Sequence, residues 1–224
     1  MTRVETFLAG GGRASRAFYY VARAVVTGLT RLWTRMGVEG RQHVPKRGAF
    51  VLAPVHRSNI DTPISACVTR RRLRFMGKDS LWKKQPAAWL LSALGGFPVV
   101  RGTADREALH RCIAVLEAGE PLVLFPEGER KSGPTVQPLF DGAAYVALKA
   151  GVPIVPVGIG GSEAVMPKGA KFIHPKKVHV IVGPPILPPP SVTDGKVPRS
   201  AVRQVTAELH ATLQQLYDEA SKRS

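Results

Sequence analysis

The chain of 224 residues has only two cysteines, Cys67 and Cys112, and neither stands in a C-x-x-C or zinc-like spacing. A disulfide scaffold is therefore excluded, and two free thiols in a reducing compartment are expected. Acidic residues are scarce: 16 Asp and Glu stand against 32 Lys and Arg, a formal charge of +16 with a pI near 10.5. Such an excess points to a polyanionic partner, whether nucleic acid, an anionic lipid surface, or a phosphorylated or coenzyme-A-bearing substrate. Long hydrophobic runs are missing as well. The longest uncharged run, Gln85 to Val100, has 16 residues and is broken by Gly95, Gly96 and Pro98. A bilayer needs about 20 apolar residues, so no transmembrane helix is expected. No basic start followed by a compact apolar run and a cleavage site marks a secretory signal, so the expectation is a protein that stays inside the cell.

What is present is a globular mixture, 44% hydrophobic and 21% charged, which excludes a disordered chain. The length suits one main domain at 41–224, preceded by a helical segment at 1–40. In that segment Phe18, Val21, Val25, Leu29, Leu32, Trp33 and Met36 recur at helical spacing, with Arg16, Arg23, Arg31 and Arg35 between them. The spacing predicts a basic amphipathic helix over 14–36. Its stripe can pack on its own domain, or lie in a membrane interface with arginines at the head groups and Trp33 and Tyr19 or Tyr20 at the boundary, and different parts of it can do each.

Beyond Gly48 short apolar runs alternate with helical segments, the pattern of a mostly parallel α/β sheet flanked by helices. Strands are expected at 49–55, 73–77, 97–100, 121–126, 153–159 and 177–182, and helices at 62–71, 80–94, 104–118, 141–150 and about 199–221. "GPPILPPP", residues 183 to 190, reads as a stiff extended connector, because proline fits neither a helix interior nor a central strand.

Three expected strands end in residues that can do chemistry. "AFVLAPV" runs into "HRSNID", His56 to Asp61. On a helix five residues turn roughly 500°, so the pair needs a turn between them to meet. With His56 closing a strand and Asp61 opening a helix, the carboxylate can return to the imidazole as base and orienter, two thirds of a triad. Asp61 before Thr62 and Pro63 equally suits a helix N-cap. Neither Ser58 nor a G-x-S-x-G elbow supplies a nucleophile, so the hydroxyl activated through His56 would belong to the substrate. "LVLFPEGER" ends in Glu127, Gly128, Glu129 and Arg130, and "GGFPVVRG" in Arg101. In a parallel sheet all strand carboxyl ends lie on one edge, where ligands bind. His56, Arg101, Glu127 and Arg130 would converge there, and guanidiniums beside a base suit an acceptor with both a hydroxyl and a phosphate.

These blocks resemble the glycerophospholipid acyltransferases: "HRSNID" as the family's His-x4-Asp, "GGFPVVRG" as its second block, "FPEGER" as its third, and "VPIVPVGI", Val152 to Ile159, as its fourth. The resemblance covers about 38–190. It implies acyl transfer from acyl-CoA or acyl-carrier protein, with no further cofactor and no metal, to a hydroxyl of lysophosphatidate or another glycerol phosphate. It further implies His56 as general base, Asp61 as its partner, and Arg130 as phosphate ligand beside Gly128, with Arg101 and Lys78 assisting. Glu127 would hold the glycerol part. Two positions depart from the pattern: Val55 stands where many members have Asn, and Glu129 where Thr or Ser is common.

The resemblance also implies a peripheral or monotopic enzyme at an anionic membrane surface on the cytoplasmic face. A second basic-apolar patch, Arg70 to Lys84, supports it, though part of that run reads equally well as a strand and only its flanks are membrane candidates. A nucleic-acid-binding protein is the alternative prompted by the charge, but no zinc spacing or RNP-like block accompanies it. A metal site at His174 and His179 lacks a nearby carboxylate set.

Overall fold

The computed structural model describes residues 13–83, 85–99, 106–190 and 196–224. Seven strands form one sheet in the order β1-β7-β6-β2-β5-β3-β4, where β1 is Gly37–Glu39, β2 Val51–Pro54, β3 Arg74–Lys78, β4 Gly96–Val99, β5 Leu122–Val123, β6 Ile154–Gly160 and β7 His179–Val182. The run from β6 through β4 is parallel, whereas β7 joins β6 antiparallel and carries β1 parallel to itself. All four residues of β2 and all seven of β6 are buried, as expected of central strands covered on both faces.

Helices supply the cover. They are α1 (Arg13–Thr34), α2 (Asp61–Ala66), α3 (Gln85–Ala93), α4 (Arg106–Glu117), α5 (Gly142–Ala150), α6 (Ser162–Val165) and α7 (Arg199–Lys222). Along α7 the buried residues Val202, Val205, Leu209, Leu213, Leu216 and Ala220 step by three or four and form one stripe. That stripe lies directly on β6. A Cβ at Gly158 would stand 2.3 Å from the Leu216 carbonyl oxygen, and one at Gly160 2.3 Å from the Ala220 backbone, so glycine is what lets helix and strand approach.

The six expected strands are all present with ends displaced by at most three residues, and only β5 is much shorter than its apolar run. The expected helix at 80–94 divides into a 3-10 turn, Asp79–Trp82, followed by α3. Strand β1 and helix α6 were not legible in the sequence. The proline-rich segment is extended as expected, with one addition: Ile186 exchanges both backbone hydrogen bonds with Ile154, at 2.8 and 2.9 Å, and extends the sheet locally beside β6.

Helix α1 settles how its two faces are used. Its polar side faces the domain: Tyr19, Thr27, Thr30 and Thr34 are buried. The three threonine hydroxyls donate to carbonyls four residues back, at 2.6 to 2.8 Å, so they enter the contact without unmet hydrogen bonds. Leu73 N–H donates to the Tyr19 hydroxyl, and Arg23 Nη2 donates to the Ala66 carbonyl at 2.7 Å. The apolar side faces outward, with Val21 65%, Leu29 63%, Leu32 78% and Trp33 49% exposed. These residues therefore do not pack their apolar faces on the described part of the domain.

Both cysteines are free and buried. Burial pushes the Cys112 thiol up to about 12 and raises Cys67 as well, the latter against the pull of Arg31 and Arg23. Only the thiolate reacts, so neither thiol should be labelled by a disulfide reagent at pH 8 while the chain is folded. Labelling of two thiols per chain only after denaturant is added is the expected outcome, and rapid labelling of native protein would contradict the burial.

Candidate active site

The carboxyl end of β2 delivers the chain into a tight loop before α2. Asp61 opens α2, but its carboxylate turns back rather than capping the helix. One oxygen, Oδ2, accepts the backbone N–H groups of Arg57 and Ser58, each at 2.6 Å, and stands 3.1 Å from His56 Nδ1. Donation by two amides fixes a fully buried carboxylate, and the carboxylate in turn fixes the imidazole. With Nδ1–H donating to Asp61, Nε2 is left as the basic nitrogen. Phe125 stacks on the His56 ring, with centroids 3.9 Å apart and planes 20° apart, which covers one face and holds the ring's tilt. Ser58 is no nucleophile: it is buried and its hydroxyl donates to the Met166 carbonyl at 2.8 Å.

The loop after β5 is tied to the histidine loop at three points. His56 N–H donates to Glu127 Oε2 at 3.0 Å, and Lys131 N–H donates to the His56 carbonyl at 2.8 Å. Between them Arg57 Nη1 meets both Glu127 oxygens, at 2.8 and 2.9 Å. Gln137 N–H adds a further donor to Glu127 at 3.1 Å. Glu127 is therefore wholly buried and engaged internally. This corrects the glycerol-binding role expected of it: no face of its carboxylate is open to a substrate, and it acts as the clamp between two loops.

Burial works against the Arg57 charge, but the hydrogen bonds and charge of Glu127 outweigh it and raise the guanidinium above its usual range. The Arg57 head lies 4.8 Å from the centre of the Tyr217 ring and donates to the Thr135 carbonyl, which carries the clamp on to α7 and the 131–140 loop.

Gly128 sits at φ 71°, where a side chain would be strained, and a Cβ there would meet Phe140 at 2.7 Å. The residue is a backbone requirement of the turn. Glu129 is exposed and pairs with Lys131 at 2.7 Å. Arg130, between them, is half-buried, and among the described residues no hydrogen bond or ion pair engages its guanidinium. The tie from Lys131 to His56 places that guanidinium's backbone one residue from the histidine loop. Lys78 closes β3 on the same edge of the sheet, with its backbone paired to Val99. Arg101 lies outside the described residues. His179, one of the two histidines weighed as metal ligands, pairs with Glu39 at 2.8 Å on the far strands of the sheet.

Residues 35–160 match the family model described as Acyltransferase, more than half of the chain. The chain belongs to the acyltransferase family. It is 30% identical over 170 residues to a chloroplastic 1-acyl-sn-glycerol-3-phosphate acyltransferase of Brassica napus, covering 70% of this chain and 49% of that protein. It is 25% identical over 150 residues to the 1-acyl-sn-glycerol-3-phosphate acyltransferase of Bacillus subtilis, covering 66% of this chain and 72% of that one. The chain spans about half the length of the plant relatives it matches. Among solved structures, the 1-acyl-sn-glycerophosphate acyltransferase PlsC of Thermotoga maritima superposes with a TM-score of 0.69 at 26% identity, covering 88% of this chain and 80% of that one. The shared fold is the mostly parallel α/β sheet with flanking helices.

Two participants of this acyltransferase-family site escaped the sequence reading. Arg57 stands inside "HRSNID", and the signal for it was a charge locked between residues that had to be buried. Phe125 stands inside "LVLFPEGER", where it reads as the last residue of an apolar strand.

Removing the Glu127 charge alone leaves a buried guanidinium unpaired, which costs about 3 to 5 kcal/mol. Glu127→Gln should therefore lower both stability in urea and turnover. Replacing both partners, Arg57→Met with Glu127→Leu, should recover much of the stability and little of the turnover, because His56 N–H still loses its acceptor. Recovery of both together would make the pair a stability element only.

Proposed function

We propose that this chain transfers a fatty acyl group from acyl-CoA, or from acyl-carrier protein, to the free hydroxyl of lysophosphatidate, making phosphatidate. The observation that carries the reading is the His56–Asp61 pair at a strand's carboxyl end, with no nucleophile beside it among the described residues and Arg130 tethered next to it. A base with an orienter and no nucleophile of its own must act on a hydroxyl that arrives with the substrate.

In this reading the acceptor binds with its phosphate on Arg130, assisted by Lys78 and Arg101, and its hydroxyl against His56 Nε2. The imidazole takes the hydroxyl proton as the oxygen attacks the thioester carbonyl. Asp61 stabilises the imidazolium that forms, as a triad aspartate does. Collapse of the tetrahedral intermediate breaks the carbon–sulfur bond, and the imidazolium returns its proton to the departing thiolate. No covalent acyl-enzyme is formed, and proton and acyl group are both accounted for. Phe125 limits water access to one face of the base.

The outward stripe on α1 supports a peripheral position on a membrane, which this reading places on the cytoplasmic face, where acceptor and product reside. Val21, Leu29, Leu32 and Trp33 would enter the interface, on a chain whose net positive charge suits anionic head groups. No helix among the described residues is long and apolar enough to cross a bilayer.

Thiol release from palmitoyl-CoA should depend on added lysophosphatidate, with glycerol-3-phosphate as the competing acceptor. His56→Ala should reduce it by about 100-fold or more with the fold intact, the range expected for a lost general base. Arg130→Ala should raise the acceptor's KM by roughly 10-fold or more while kcat changes less, as removal of a charged hydrogen-bond donor predicts. Near-normal turnover of His56→Ala would sink the mechanism. An unchanged KM would place the phosphate elsewhere. Leu29→Asp with Leu32→Asp, which leaves the buried side of α1 untouched, should cut partition onto phospholipid vesicles by about 10-fold, given the apolar area lost. Unaltered partition would remove α1 from the membrane contact.

A further inference from the structure

The opposite edge of the sheet carries a second basic constellation that the reaction does not use. His56 follows the carboxyl end of β2, whereas Pro45 and Lys46 precede its amino end, and α2 runs back between the two edges from Asp61 to Ala66. Around the exit of α2 lies a cleft of about 470 Å³. Six cations line it: Arg23 and Arg31 from α1, Arg41 and Lys46 from the segment before β2, and Arg70 and Arg71 from the segment before β3. Among the described residues no carboxylate lines it.

Part of this charge has an internal explanation. Arg31 Nη2 donates to the Cys67 carbonyl at 2.9 Å, Arg23 Nη2 to the Ala66 carbonyl at 2.7 Å, and Arg71 Nη1 to the Pro45 and Gly48 carbonyls at 3.1 and 2.6 Å. These arginines cover the carbonyls at the end of α2 and in the turn before β2. A helix end, however, carries the equivalent of only about half a negative charge, and a helix as short as α2 no more than that. It balances a fraction of one guanidinium, while six cations surround it.

Two further facts mark the excess. Arg31 and Arg41 both aim at the one Cys67 carbonyl oxygen, at 2.9 and 3.4 Å. Arg23 Nε is buried with no partner. Burial, and the like charges of Arg31 and Arg70, depress the Arg41 pKa from its usual range, the direction expected where cations crowd without an anion. Carbonyls hold one edge of the bound guanidiniums, so the remaining N–H groups are fixed in place.

We propose that this cleft binds a phosphate group, separately from the acceptor phosphate at Arg130. Several guanidiniums anchored by backbone carbonyls match the tetrahedral, multiply accepting oxygens of phosphate. The cleft is large enough to admit a head group as well as a free ion. Phosphate can reach it from two sources, a soluble phosphate compound or the phosphomonoester head of a membrane lipid, and α1 contributes both two of the cations and the outward apolar stripe. The proposal does not rest on the acyltransferase reading.

The test uses the full chain and the triple variant Arg41→Gln, Lys46→Gln, Arg70→Gln. None of these side chains belongs to the catalytic site, and the three strongest carbonyl ties, those of Arg23, Arg31 and Arg71, are retained. With inorganic phosphate against chloride at matched ionic strength, the wild type should gain about 3 °C in Tm at saturation. Arg130→Ala should keep most of that gain, and the triple variant should lose it. In parallel, co-sedimentation with phosphatidylcholine vesicles containing phosphatidate is compared with vesicles containing phosphatidylglycerol at equal surface charge. A drop for the triple variant confined to phosphatidate assigns the source to a lipid head group, whereas a phosphate-dependent Tm gain without that drop assigns it to a soluble compound. Equal Tm gains in wild type and triple variant with no phosphatidate-specific drop overturn the proposal. So does loss of the whole gain in Arg130→Ala, or an equal fall on both vesicle types, which is a charge effect alone.

Discussion

The site depends on one buried ion pair. Arg57 and Glu127, 70 residues apart, meet in the interior at 2.8 Å, and through them the loop that carries His56 is joined to the loop that carries Arg130. A buried pair is a poor source of stability, because desolvating two charges offsets most of their attraction. Its use here is positional. Glu127 accepts from His56 N–H and from Arg57 at once, so neither loop can move without leaving a charge or an amide unmet in a dry interior. The imidazole is then fixed from three directions: backbone by Glu127, Nδ1 by Asp61 and ring face by Phe125.

The parallel sheet explains why these groups meet. Residues far apart in sequence arrive at one edge because β2, β5 and β3 run in the same direction and end together. The same geometry collects everything that precedes those strands at the other edge, which is where arginines from three separate segments crowd around the end of α2. A basic chain of this fold thus holds its positive charge in two places with different surroundings. One has the His56–Asp61 pair and a clamped carboxylate. The other has no acid among its described lining residues.

Helix α1 inverts the usual relation between helix and domain. It is held by hydroxyls and guanidiniums on its inner face, and its apolar residues are turned away. Threonines that return their hydroxyls to the helix backbone make a polar-looking face dry enough to bury. The outcome is an exposed apolar strip on a strongly basic molecule, an arrangement fit for an anionic surface and unfavourable in water alone.

The sequence by itself determined the α/β alternation, the positions of six of the seven strands, the two free thiols and the His56–Asp61 pair. Each of these follows from local periodicity, composition or short spacing, which the chain carries without reference to its partners. It also brought Glu127 and Arg130 to the correct edge, since strand ends in a parallel sheet are predictable. Only the tertiary structure decided what those residues do there. Burial and the company of Arg57 turned Glu127 from an expected ligand into a clamp, and no pattern around "FPEGER" reports which side chain 70 positions away will share its cavity. The face that α1 presents to the domain was equally hidden, because periodicity gives a helix two sides and only packing chooses between them. The basic cleft is the furthest from legible: its six cations come from three segments, and nothing but the fold places them around one carbonyl-lined hollow.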